Sequence, residues 1–133
     1  MKTKLLIALP VLLAAFALVG CTDESPEKRI ASAKEYLQKK DTKSAVIEIK
    51  NALQKNPDLG EARYLLGSTL LAEGNVVAAE LELRKALAAK HPEVEVVPDL
   101  ARSMLMLGQA KKVVDEFGST RLGQPGADAS LQT

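Results

Sequence analysis

The sequence lacks most of what an active site is built from. It has one cysteine, one histidine, no tryptophan, two tyrosines and two phenylalanines in 133 residues. Cys21 has no second thiol for an intramolecular disulfide. A single imidazole among scattered carboxylates gives neither metal-ligand spacing nor a nucleophile beside a base. No glycine-rich phosphate loop occurs. Catalytic residues, metal ligands and cofactor contacts therefore have no candidates, and the chain is not expected to be an enzyme. His91, beside Pro92 between two helical segments, reads as a solvated or locally bonded side chain. An excess of one charge is missing too. There are 18 basic residues against 17 acidic ones, and with Lys2 and Lys4 set aside the chain beyond residue 20 carries 16 against 17. That balance gives no electrostatic footprint for nucleic acid.

What is present is apolar and helix-forming. The residues are 47% hydrophobic but only 3% aromatic, and the abundance of Ala and Leu favours helices over sheets. An all-α protein is expected. At the N-terminus, Met1–Lys4 is a short basic stretch and Leu5–Val19 an uncharged apolar run, the pattern of a signal peptide over residues 1–20. Fifteen residues at about 1.5 Å each reach roughly 22 Å, short of the ~30 Å hydrocarbon core. A permanent span is the weaker reading.

The junction Leu18-Val19-Gly20-Cys21 resembles the bacterial lipobox, which implies that the Cys21 thiol carries lipid and that residues 21–25 are a lipidated tether. Two or three acyl chains hold a protein stably at a bilayer, so the membrane is expected as a partner through Cys21. Thr22 stands where Asp favours inner-membrane retention in enterobacterial lipoproteins. The resemblance thus implies a periplasm-facing protein of the cell envelope, at the outer membrane in preference to the inner.

Laid over itself at an offset of 34, the chain brings Ala33 onto Gly67 and Ala101, Tyr36 onto Leu70 and Met104, and Ala45 onto Ala79 and Val113. Ile49 falls on Leu83 and Phe117, Ala52 on Ala86, Leu53 on Leu87 and Lys50 on Arg84. Local signals follow the same period. Ser25 and Pro26 open a first helix through about Gln38, and Lys39-Lys40-Asp41 is a turn. A second helix, about 42–54, carries Ala45, Ile49, Ala52 and Leu53 on one stripe and stops at Asn56-Pro57. Asp58 with Glu61 suggests a capping box for a third helix to Ala72, with Gly74 at its end. Asn75 is expected to cap a fourth helix, about 76–88. Pro98 is expected to delay or bend the fifth, leaving Leu100–Leu107, and Lys111–Phe117 makes a short sixth. Residues 118–133, with Gly123, Pro125 and Gly126, read as linker or disorder. Small residues at the paired positions place Ala33 and Gly67 close to Ala45 and Ala79.

These positions resemble the tetratricopeptide repeat, whose period is about 34 residues with a helix-turn-helix in each unit. The fold expected is a helical-hairpin solenoid of about three repeats, 26–59, 60–93 and a partial 94–117, preceded by the signal peptide. The stretch Ala45–Asp58, with Glu61-Ala62-Arg63-Tyr64-Leu65-Leu66-Gly67 after it, is similar to the tetratricopeptide lipoprotein of PEP-CTERM/exosortase systems. That family's arrays are longer, so the resemblance implies an N-terminal portion and apolar residues of the third repeat left partly exposed. It also implies a scaffold beside exopolysaccharide production and C-terminal sorting of exported proteins. The rival reading is a lipoprotein of outer-membrane protein or pilus assembly.

Partners are expected to be proteins or extended peptides lying along the concave face that first helices form. Lys34, Ser68 and Arg102 share one phase there, with Gln38, Glu61 and Tyr64 nearby. Two cations and an aromatic ring suit an extended acidic or carboxylate-ended segment. Chaperone-binding relatives use a Lys/Asn carboxylate clamp. Ile30 and Lys34 in repeat one and Ser68 in repeat two depart from it, which disfavours a chaperone-tail receptor.

Overall fold

The computed structural model describes residues 24–119, so the expected signal peptide, Cys21 and the tail from residue 120 lie outside the described residues. Six helices follow one another: α1 (Pro26–Gln38), α2 (Thr42–Lys55), α3 (Gly60–Ala72), α4 (Val76–Ala88), α5 (Glu93–Met106) and α6 (Ala110–Phe117). No strand occurs among the described residues. Helices pair into three hairpins, and each hairpin packs on the next through α2 against α3 and α4 against α5. The protein is the all-α helical repeat that the sequence period predicts. No helix among the described residues is long and apolar enough to cross a membrane.

The turns inside the hairpins repeat in phase. Lys40, Gly74 and Gly108 stand one period apart and all adopt the left-handed conformation, with φ of 61°, 80° and 74°. Two use glycine, which carries no Cβ penalty there, and the first hairpin uses lysine. Ser25 caps α1, accepting from the Lys28 amide at 3.3 Å, with Pro26 at the first helical position. Asp41 caps α2 through the Ser44 amide and hydroxyl.

Two expected caps are absent. The N-cap of α3 is Leu59, with no side-chain bond, and Asn75 makes none at α4. The chain before α3 is organised by Asn56 instead, whose side-chain oxygen accepts from the Asp58 amide at 3.2 Å. That turn puts Asp58 one residue too early to act as the cap. Pro98 also behaves differently from expectation: α5 runs unbroken from Glu93. Its missing N–H removes one bond, to the Val94 carbonyl, early in the helix. Burial of Val96, Val97 and Leu100 against Leu83 and Ala86 offsets that loss.

Two apolar clusters form the core. One joins Ile30 and Ala33 to Ile49, Ala52 and Leu53 and then to Ala62 and Leu66 of the next hairpin. The other joins Leu83 and Ala86 to Val96, Leu100, Met104, Val113 and Phe117. At Gly67 the helices come closest: a Cβ there would stand 2.6 Å from Leu83 Cγ. The close approach is therefore made to Leu83, although Ala79, expected as its neighbour, is fully buried.

One further element recurs with the same period. Arg29 bonds Glu48 at 3.0 Å between α1 and α2, and Arg63 bonds Glu82 at 2.6 Å between α3 and α4. The third hairpin has Val97 and Glu116 in those positions, and Arg84 of α4 takes Glu116.

Candidate partner-binding face

First helices α1, α3 and α5 line one side of the array, and the six residues singled out from the sequence lie on them. Lys34 on α1 is exposed and pairs with Glu61 at the start of α3. Gln38, the last residue of α1, is exposed and joins no cluster. Tyr64, one turn along α3 from Glu61, stacks on His91 with ring centroids 5.0 Å apart. His91 Nε2 in turn lies 3.1 Å from Glu95 on α5, so the histidine is locally bonded and largely covered. Ser68 donates its hydroxyl to the Tyr64 carbonyl at 2.8 Å and lies beside Asp99 of α5. Arg102, a turn beyond Asp99, is exposed.

The electrostatics tie α3 to α5. Burial raises the Asp99 carboxyl above its ordinary value, and Arg102 and Ser68 oppose that only in part. Burial likewise raises the Tyr64 hydroxyl, with further contributions from the negative charges of Asp99 and Glu95. The face is thus mixed in sign. Lys34 is compensated by Glu61, and Arg102 acts on Asp99.

The structure therefore brings Tyr64, Ser68 and Arg102 into one neighbourhood and Lys34 with Glu61 into another, while Gln38 stands apart. Sequence reasoning missed Asp99, Glu95 and the stacked His91. Glu95 carried a signal, since it stands one period after Glu61. Asp99 carried none, because its phase holds Leu65 and Ala31 in the earlier hairpins.

Two open clefts lie elsewhere. One of about 630 Å³ includes Pro57, Asp58, Arg63, Lys85 and Lys90, and one of about 560 Å³ includes Val77, Leu81 and Arg84. Neither is lined by the six residues. No group of three or more His, Cys, Asp or Glu able to hold a metal ion occurs among the described residues.

A family model described as tetratricopeptide repeat matches residues 27–97, just over half of the chain. No curated protein matches it.

Proposed function

Because the chain belongs to the tetratricopeptide repeat family, we propose that it is a non-catalytic scaffold holding an extended partner segment along α1, α3 and α5. Such repeats generally mediate protein–protein interaction. The observation that carries the reading is the row of groups crossing three first helices: Lys34 with Glu61, Tyr64 with His91, then Ser68, Asp99 and Arg102. Exposed ion pairs contribute about 0–1 kcal/mol, so Lys34 and Glu61 separate readily to meet a partner's charges. Since the cations are compensated, the partner need not be acidic. Aromatic contact with Tyr64 and backbone hydrogen bonds supply the remainder.

The proposed setting is the periplasmic side of the cell envelope, at the outer membrane in preference to the inner, with lipid on Cys21. The Leu18–Cys21 junction and Thr22 support it. The likeness of Ala45–Asp58 and Glu61–Gly67 to the exosortase-system lipoprotein supports a role beside exopolysaccharide production and PEP-CTERM protein sorting.

Photoactivatable residues at Lys34, Ser68 and Arg102, and separately at Ile47 and Leu81 on the second helices, test the face. Partner capture should be stronger from the first set, and stronger capture from the second overturns the assignment. For the anchor, radiolabelled palmitate should enter the wild type and not Cys21→Ala. Equal labelling removes the lipoprotein reading.

A further inference from the structure

We propose that the outer face of the third hairpin docks on the same face of a second copy of this chain. The position of that face in the array carries the argument. Leu71 of α3 is 7% exposed, whereas Leu105, its equivalent one period later on α5, is 49% exposed. On the second helices, Val46 packs into the core shared with α3, and Glu80 accepts from Gln109 of the third hairpin at 3.3 Å. Both positions thus face the following hairpin, and in α6 the same position is Val114, 64% exposed. Among the described residues, the surface that joins one hairpin to the next is apolar and exposed on this hairpin.

The opposite end of the array does not fit it. Where α3 presents Ala62 and Leu66 to the preceding hairpin, and α5 presents Val96 and Leu100, α1 has Lys28 and Ser32 in the same phase. Head-to-tail stacking would set those polar groups, in place of the small and apolar residues that α3 and α5 present, against Leu105 and Val114. Residues 120–133 are poorly suited as well. Their two large apolar residues, Leu122 and Leu131, are nine apart with Gly123, Pro125 and Gly126 between them, which is no helical stripe.

A two-fold arrangement fits better. At about 100° per residue, Lys111, Val114 and Asp115 share one side of α6, while Glu116 is turned back toward Arg84 of α4. Lys111 and Asp115 pair within the helix at 2.9 Å. With two α6 helices antiparallel, Lys111 of each copy comes opposite Asp115 of the other, flanking the two Val114 side chains. An isologous contact of this kind closes at a dimer. One side of α5 and the eight-residue α6 of each copy make a patch below the usual interface size, so the dimer is a weak one.

The test uses two differently tagged copies of the full chain in the same cells, with a photoactivatable residue at Leu105 or, as control, at Ile47. A product joining both tags is expected from Leu105 and not from Ile47. It should be lost when both copies carry Val114→Asp, when both carry Lys111→Asp, or when both carry Asp115→Lys. It should return when one copy carries Lys111→Asp and the other Asp115→Lys, which separates loss of contact from loss of fold. Equal product from Ile47, insensitivity to the charge changes, crosslinks from Leu105 to residues 120–133 or to another protein, or no product at all each overturn the proposal.

Discussion

The second and third hairpins share one sequence phase and differ in how they are held. The second has neighbours on both sides, a glycine that brings α3 onto Leu83, and the Arg63–Glu82 pair between its helices. The third has a neighbour on one side among the described residues, and its second helix is only eight residues long. Val97 has replaced the arginine, and Glu116 is bonded backward to Arg84. The third hairpin is thus attached to the second more than braced within itself. In a repeat array each unit is stabilised by its own contacts and by its neighbours. The difference therefore predicts a gradient of stability within a fold that is regular in outline.

Crowding Gly67 should erase the difference. Gly67→Val puts branched carbon where even a Cβ meets Leu83 at 2.6 Å, and a cost of about 3 kcal/mol or more is expected. The midpoint of denaturant unfolding measures it. An unchanged midpoint contradicts the packing.

Glu82 and Glu116 compare the two arginine pairs directly. Burial pushes the Glu82 carboxyl up, but hydrogen bonds from Lys85 and Arg63 outweigh it and hold it below its ordinary value. Glu82→Gln should cost about 1–3 kcal/mol at neutral pH, since it weakens a charge-assisted, partly buried bond. A depressed folded-state value means this stability is present above the unfolded carboxyl range and is lost as pH falls through the folded one. The penalty should accordingly fade in acid. Glu116→Gln, at a more exposed pair, should cost less than about 1 kcal/mol. Equal costs remove the distinction between a brace and an attachment.

The turns sharpen the comparison by a smaller amount. Lys40 sits at a φ of 61° where the other hairpins have glycine. Lys40→Gly should stabilise by up to about 1 kcal/mol, because left-handed strain of roughly 1–2 kcal/mol is relieved against a more flexible unfolded chain. Thermal unfolding should show a higher midpoint.

The smallest effect is expected at Asp99, whose carboxyl is raised by burial. A raised value means that ionisation opposes folding, so the cost is absent below the unfolded carboxyl range and grows as pH rises through the folded one. Asp99→Asn should raise the unfolding midpoint slightly at neutral pH and leave it unchanged in acid. A lower midpoint at neutral pH would show that Arg102 and Ser68 hold the carboxylate more strongly than burial disfavours it.

What could be read in the sequence was set by local spacing. The repeat period, the buried stripe Ala45, Ile49, Ala52 and Leu53, and the turns at Gly74 and Gly108 are all carried by residue types at fixed offsets along the chain. The misreadings arose where distant segments decide. Pro98 does not break α5 because Val96 and Val97 are buried against α4. The exception is local: Asp58 fails as a cap because Asn56, two residues before it, has already shaped the turn. Asp99 enters the candidate face only because α5 packs beside Tyr64 and Ser68. The Arg29–Glu48 and Arg63–Glu82 pairs were in phase from one hairpin to the next, but the two partners of each pair lie on different helices and no helical periodicity joins them. Lys34 was legible as a face residue, while its pairing with Glu61 depends on how α1 meets α3.

The gradient between hairpins two and three is tested most directly by native-state hydrogen exchange on the full chain in detergent micelles, dilute enough to be monomeric. Amides of α3 and α4 should exchange at least about tenfold more slowly than those of α6, which opens first. Equal protection of α6 and α4 would contradict the account, because the third hairpin would then be braced as firmly as the second.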